Sequence, residues 1–391
     1  MKVLLNTDAF LPHAGGSRVY YYTLYSELVR QYPDQVTVLT KKVPGWEDFD
    51  RDHATPALRI FRRFRPLPDW RYTQLPKFLP DLVRTAWSAG GGRTDIMHCG
   101  DLFPQGLVAV VLQRLLGIPF VAYCHGEEVT QIDHRRFQPR MRDLIYRSAD
   151  AVIAANDFAR SMLLRIGVPA ERIFKILPGV DLATFSPRPP DAKLQDSLGL
   201  RGKVVLLSVG RLVERKGHSQ ILRALAALPD ALPAWHYLIV GEGPERQRIE
   251  ALAGELGLSD RVTLTGKVPA SRLAACFNLG DLFVLANRDI AGDLEGFGMV
   301  FLEANACGKA VLGGRTGGTS EAVIDHVTGR LVDPESIPEI SAALSELIAK
   351  PELRHALGER GLQRARAEFA WSTRAPQLRA VSDHVLQARR G

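Results

Sequence analysis

The chain has 391 residues, 46% hydrophobic and 24% charged, with 34 glycines and a formal net charge of +7. That length predicts two cores of roughly 180 residues each, and the composition excludes disordered, collagen-like and disulfide-framework classes. The 4 cysteines, Cys99, Cys124, Cys276 and Cys307, have no Cys-x-x-Cys pairing and read as reduced core thiols rather than zinc ligands. The apolar run after Met1 stops at Asn6-Thr7-Asp8, too short for a signal peptide. The most apolar long stretch, 106–123, is interrupted by Gln113 and Arg114, so no membrane span and a cytoplasmic location are expected.

In chain order, apolar strands are expected near 2–6, 36–40, 95–99, 119–124, 151–155 and 173–177, with helical patterns between them. The Pro-rich stretch 186–199 then reads as a linker. Strands resume near 203–209, 235–240, 261–265, 282–286, 310–313 and 329–332, and only helices follow, over 335–370 and 372–389. Strand-helix alternation implies parallel sheets covered on both faces, hence an α/β chain of two Rossmann-like domains, 1–185 and 200–370. Open parallel sheets bind ligands at the carboxyl ends of their strands, so the site is expected in a cleft between the two sheets.

The motifs sit at such ends. Gly15 and Gly16, after Pro12-His13-Ala14, head a helix expected to begin near Arg18, where glycines let a ligand approach the helix N-terminus. Within that helix Tyr20, Tyr21, Tyr22 and Tyr25 read as a partly buried face. Residues 59–93 carry Arg59, Arg62, Arg63, Arg65, Arg71, Lys77, Arg84 and Arg93 against only Asp69 and Asp81. Phe61, Phe64, Trp70, Tyr72, Phe78 and Trp87 are interleaved with them, and Arg135, Arg136, Arg140, Arg142 and Arg147 form a second cluster. Cations among aromatics suit an anionic membrane surface or a polyanionic acceptor, and no nucleic-acid reader motif accompanies them. His125 closes the strand at 119–124; Glu127 and Glu128 beside it either touch an acceptor or face solvent.

The strand at 203–209 runs into Gly210-Arg211 and then Lys216-Gly217, two cations able to neutralise a departing diphosphate. Val240-Gly241-Glu-Gly243 lacks the third glycine of a dinucleotide fingerprint. Asp289 and Asp293 do not form an Asp-x-Asp, and no metal site is expected. Glu295-Gly296-Phe297-Gly298-Met299-Val300-Phe-Leu-Glu303 places two carboxylates around a glycine-rich turn that opens a helix. Backbone N–H groups at that helix start suit a diphosphate, and the carboxylates suit neutral hydroxyls, Glu295 on the sugar side and Glu303 on the ribose side. Along a continuous helix the two would stand ~12 Å apart. Gly313 to Glu321 is a second glycine-rich turn, with Thr319 or Ser320 as the expected helix cap.

Taken together, Gly210-Arg211, Lys216-Gly217 and the Glu-x7-Glu element resemble the retaining GT-B glycosyltransferases of family four, in particular GDP-mannose-dependent phosphatidylinositol mannosyltransferase-like enzymes. The resemblance runs from Gly15-Gly16 to Phe369-Ala-Trp371, and departs where Ser320 stands in place of the usual proline. It implies that His125 lies beside the transferred sugar, that Gly15 and Gly16 contact phosphate, and that Lys267 and Val268 lie near the nucleotide base. It also implies that the segment 371–391 crosses back to the first domain and that reaction proceeds with retention, without a protein nucleophile. The function expected is transfer of a hexose from GDP-mannose or a UDP-hexose to a lipid-linked, polysaccharide or small-molecule hydroxyl. Arg211, Lys216, His125 and Glu295 would be catalytic; Gly210 and 296–300 would help bind the nucleotide sugar; no cofactor or metal would be needed. A sugar-nucleotide epimerase, an NAD-dependent dehydrogenase and a non-catalytic sugar-nucleotide-binding protein are the alternatives.

Overall fold

The structure is a computed structural model that describes residues 1–12, 15–63, 75–89, 93–126 and 138–389. Of the residues singled out above, His13, Ala14, Phe64, Arg65, Asp69, Trp70, Arg71, Tyr72, Glu127, Glu128, Arg135 and Arg136 lie outside the described residues, as do the side chains of Lys77, Phe78 and Asp81. The chain divides into two compact units, Met1–Pro178 with Trp371–Gly391, and Gly179–Ala370.

The first unit is built on seven parallel strands: β1 (Lys2–Asn6), β2 (Gln35–Lys41), β3 (Leu58–Arg63), β4 (Ile96–Cys99), β5 (Phe120–Cys124), β6 (Ala151–Ala154) and β7 (Ile173–Lys175), in the order β3-β2-β1-β4-β5-β6-β7. Fully buried, β5 and β6 read as unbroken apolar runs, and β4 is broken only by His98. The edge strand β3, Leu-Arg-Ile-Phe-Arg-Arg, alternates instead, and its three arginines hid it within the basic segment of the sequence. Those arginines are occupied. Arg59 donates to Thr37 Oγ1 at 3.1 Å, Arg62 pairs with Asp50 at 2.7 Å and donates to the Leu11 carbonyl, and Arg63 pairs with Asp8.

The second unit has six parallel strands: β8 (Val204–Val209), β9 (Trp235–Val240), β10 (Val262–Gly266), β11 (Leu282–Leu285), β12 (Ala310–Gly314) and β13 (Gly329–Val332), ordered β10-β9-β8-β11-β12-β13. Chain direction across each sheet reverses once, between β1 and β4 and between β8 and β11, and the crevice beside such a reversal is where these sheets bind ligands. The expected linker 186–199 lies inside this second unit, and part of it, Ala192–Ser197, is a helix capped by the Asp191 carboxylate. Proline content marked the irregular chain there but not its packing: Arg188 N–H donates to Asn278 of the second unit at 2.9 Å.

The last helix, Trp371–Ala388, is held to the first unit by polar and aromatic contacts. Trp371 lies edge-on to Tyr20 with centroids 5.6 Å apart, and Asp34, fully buried, binds both the N-terminal amine and Arg379 at 2.7 Å. Tyr20, Tyr21 and Tyr25 are core residues, while Tyr22 is only half-buried. An aromatic helix face at helical spacing is therefore packing first.

Candidate active site

In the second unit the reversal between β8 and β11 brings two loops side by side. The loop after β8 makes one turn at Glu214–Lys216 and ends at Gly217, where φ is +69° and a Cβ would lie 2.0 Å from the Ala286 carbonyl oxygen at the end of β11. Only glycine permits that approach. Lys216 is thereby turned inward, 7% exposed, and its Nζ donates to Glu295 Oε2 at 2.5 Å. Arg215, which no sequence signal distinguished from an ordinary loop cation, is equally buried. Its Nη1 donates to the same oxygen at 2.7 Å, and its Nε faces Asp293 Oδ1 at 3.2 Å.

Beneath Glu295 runs the second glycine-rich turn. Gly317 has φ +51°, a Cβ there would meet the Glu295 carbonyl oxygen at 2.3 Å, and Gly318 N–H donates to that carbonyl at 3.0 Å. This turn is the floor of the Glu295 loop. Neither Thr319 nor Ser320 caps the short helix Thr319–Ala322; Thr319 Oγ1 instead accepts from Asn287 at 3.4 Å.

The helix after Glu295 is shorter than the sequence suggested, spanning Met299–Ala306 with Gly298 at its N-cap in left-handed conformation. Glu295 is therefore off the helix, and the ~12 Å separation along a continuous helix does not apply. No side chain caps this N-terminus, and Met299 and Val300 are half-buried in its first turn. Their N–H groups belong to the set that an anion satisfies. Phe297 points the other way, buried against Phe369 with centroids 6.0 Å apart, so only its backbone is placed to meet a ligand.

The two glutamates differ electrostatically. Burial pushes Glu295 up, but Lys216 and Arg215 outweigh it and hold the carboxyl below its ordinary value. Glu303, half-buried on the helix, is pushed up by burial to about 7, against a weaker pull from Lys216.

The remaining expected residues of the second unit lie in loops at the carboxyl ends of its strands. Arg211 is exposed and, among the described residues, enters no ion pair. Gly210 N–H donates to the Val240 carbonyl and Gly241 N–H to the Gly266 carbonyl, both at 3.0 Å, stitching the loops after β8, β9 and β10 together. Lys267 is exposed and Val268 half-buried in the loop after β10. Asp289 and Asp293 serve the loop itself, Asp289 accepting from Gly292 N–H at 2.8 Å and Asp293 pairing with Arg215.

Behind Lys216, a relay fixes a histidine. Ser208 donates its one hydroxyl proton to the Val284 carbonyl at 2.5 Å, so Tyr237 donates to Ser208 and accepts from His218 Nδ1 at 3.0 Å. His218 is therefore the Nδ1–H tautomer, and burial, with Lys216 nearby, lowers its pKa to about 3.

In the first unit, Gly15 is the N-cap of a helix that starts at Gly16, two residues earlier than expected. His125 follows β5, half-buried. Its Nε2 lies 2.7 Å from the Tyr21 hydroxyl, which itself donates to the Gly100 carbonyl at 2.7 Å. With that single proton spent, the neutral His125 must carry its own proton on Nε2. The sequence had no signal for this, because Tyr21 and His125 are over a hundred residues apart.

Two Rossmann-like units with charged loops at their reversal points define a GT-B glycosyltransferase. The family description "Glycosyltransferase Family 4" matches residues 14–184, and "Glycosyl transferases group 1" matches 191–364. The chain is 31% identical over 99% of its length, and 100% of the relative's, to a GDP-mannose-dependent alpha-(1-6)-phosphatidylinositol monomannoside mannosyltransferase of Mycolicibacterium smegmatis. It is also 31% identical to a D-inositol 3-phosphate glycosyltransferase of Thermobispora bispora, over 80% of this chain and 76% of that one. Among solved structures, the sucrose-phosphate synthase of Thermosynechococcus elongatus superposes with a TM-score of 0.82 at 27% identity, covering 99% of both chains. HepE of Anabaena, in complex with UDP and glucose, superposes at 0.80 and 22% identity, covering 98% of this chain and 100% of that one. The chain belongs to this glycosyltransferase family, and the epimerase, dehydrogenase and non-catalytic readings fall away.

Proposed function

We propose that the protein transfers mannose from GDP-mannose, with retention, to a hydroxyl of an inositol-containing lipid. The observation that carries this reading is the Lys216–Glu295 pair, set at the β8/β11 reversal beside an uncapped helix start. A diphosphate leaving group gathers charge as the glycosidic bond breaks, and Arg211, Lys216 and the amides of Met299 and Val300 supply oriented positive charge without a metal. Glu295 accepts sugar hydroxyls, and Glu303 accepts those of the ribose. His125 serves the sugar, Gly15 and Gly16 serve a phosphate, and Lys267 and Val268 serve the base. Support for GDP-mannose and an inositol lipid comes from relatives of that description along the whole chain.

The test is a thermal-shift panel of GDP-mannose, UDP-glucose, UDP-galactose and UDP-GlcNAc, followed by transfer assays on phosphatidylinositol monomannoside and on soluble inositol 3-phosphate. At ~100 times its dissociation constant the true donor stabilises by ~2.7 kcal/mol. Stabilisation by a UDP-sugar alone overturns the GDP-mannose assignment. Transfer to inositol 3-phosphate but not the lipid overturns the lipid acceptor. Activity should also survive EDTA; loss restored only by Mg²⁺ or Mn²⁺ overturns the metal-free reading.

No helix among the described residues is long and apolar enough to cross a membrane. A lipid acceptor then calls for peripheral docking, which we assign to the basic-aromatic part of the first unit. The structure narrows the groups available for it: Arg62 and Arg63 are buried ion-pair partners, whereas Arg84 is exposed, as are Trp87 at 38% and Phe61 at 45%. Sedimentation with anionic liposomes at low and high salt tests this. Wild-type binding that falls in an Arg84→Ser, Trp87→Ala variant is expected; binding indifferent to lipid charge overturns it.

A further inference from the structure

Arg215 spans two carboxylates of one loop, Asp293 through Nε and Glu295 through Nη1, while its carbonyl accepts from Arg288 N–H at 2.8 Å. Lys216 shares Glu295 Oε2 with it and, among the described residues, pairs with no second carboxylate. The two cations are not equivalent. A guanidinium held at two edges by two carboxylates is a fixed brace, whereas an ammonium on a four-carbon stem swings readily to a new anion. Among the described residues, these two cations meet two carboxylates in the ligand-free protein. A diphosphate arriving at the Met299 helix start brings further negative charge, and it competes for Lys216 with a carboxylate that would otherwise be left buried and unpaired, a costly outcome.

We infer that Arg215 is a positioning residue of the donor site: it keeps Glu295 oriented and charged while Lys216 passes from Glu295 to the diphosphate of the donor. This rests on the donor reading proposed above. It explains why two adjacent cations converge on one carboxylate oxygen, since one is to leave and the other to stay. It also explains the Asp293 contact, which holds Arg215 back from following Lys216 to the phosphate. The charged and titratable groups about Glu295 are Lys216 and Arg215 on the loop after β8, Asp293 on its own loop, Glu303 on the following helix and His218 behind Lys216. His218 is neutral across the working range, and Glu303 titrates near 7.

The experiment is calorimetric titration of GDP and of GDP-mannose into wild type, Arg215→Lys and Arg215→Met between pH 5.5 and 8.5, with folding checked by thermal melts. Glu303 acts on the nucleotide common to both ligands, so the ratio of the two affinities cancels its titration. In wild type that ratio should be flat with pH. Without Arg215, Glu295 loses a cation and its pKa rises, so it protonates sooner as pH falls. Arg215→Met should therefore lose GDP-mannose affinity relative to GDP by about tenfold at pH 5.5, the scale of one charge-assisted hydrogen bond, and by less at pH 8.5. Arg215→Lys should restore most of it. An unchanged ratio in Arg215→Met, or equal loss of both ligands in both variants, overturns the assignment and leaves Arg215 a structural brace. Wild type binding neither ligand overturns instead the donor reading beneath it.

Discussion

The loop that ends at Glu295 and the helix that carries Glu303 shift the pKa of the same residue type in opposite directions. Glu295 is the more buried, at 9% exposed, yet it is held ionised; Glu303 is half-buried yet rises to about 7. Burial penalises both. The difference is that Glu295 has two cations in hydrogen-bond contact, whereas Glu303, among the described residues, feels the more distant influence of Lys216. Proximity of a partner, not depth, decides the charge, because a contact ion pair recovers desolvation that a remote one does not. In the ligand-free protein one acid is thus held ionised, while the other titrates near neutral pH.

Lys216 belongs to both sides of this comparison, so its removal has the largest expected effect. Lys216→Ala should reduce turnover at saturating donor by ~10² to 10³-fold, since leaving-group charge grows in the transition state. Steady-state kinetics with near-normal turnover would remove Lys216 from the chemistry. Exposed Arg211, which among the described residues enters no ion pair, should lose turnover in the same assay when changed to Ala.

A second test separates the two acids. Glu295→Gln keeps the shape but loses the charge, and should weaken GDP-mannose binding by ~10-fold or more while leaving GDP nearly unchanged. Glu303→Gln should weaken both ligands alike. Equal losses in both variants would end the division between sugar and ribose.

The third expected effect is a pH dependence belonging to Glu303. If the ionised form holds the ribose, GDP affinity should rise about tenfold from pH 6 to pH 8 as the group passes through its raised pKa, and Glu303→Gln should flatten that rise. A flat wild-type profile in calorimetry would show that Glu303 binds in its neutral form.

The smallest effect concerns stability of the ligand-free protein. A raised carboxyl pKa favours the protonated fold, so the Glu303 contribution is complete below the ordinary value of 4.5 and is lost as pH rises to about 7. Glu295, with a lowered pKa, contributes above its ordinary value and loses that contribution as pH falls. Melting curves of Glu303→Gln should therefore gain on wild type between pH 5 and pH 8, whereas those of Glu295→Gln should lie below wild type by a constant margin over that span and close on it only as pH falls below 4.5. The reverse order would refute the electrical contrast directly.

The sequence by itself determined the α/β class, because buried parallel strands leave largely apolar runs separated by helical patterns, and twelve of the thirteen strands among the described residues were legible that way. It also placed Gly210, Lys216, Glu295 and Gly298 in loops after strands, the ends at which parallel sheets bind ligands. It did not reveal β3, whose alternating arginines look like a solvated run until Asp50, Asp8 and Thr37 are brought beside them. Nor did it locate the end of the first unit at Pro178, because a boundary is set by which side a segment packs on and not by its proline content. Only the tertiary structure decided that Arg215 and Lys216 meet Glu295 from 80 and 79 residues away, that Gly317 lies under the Glu295 carbonyl, and that Tyr21 sets the proton on His125. Charge state and tautomer depend on distances of a few ångströms between residues remote in the chain, and linear spacing carries no record of those.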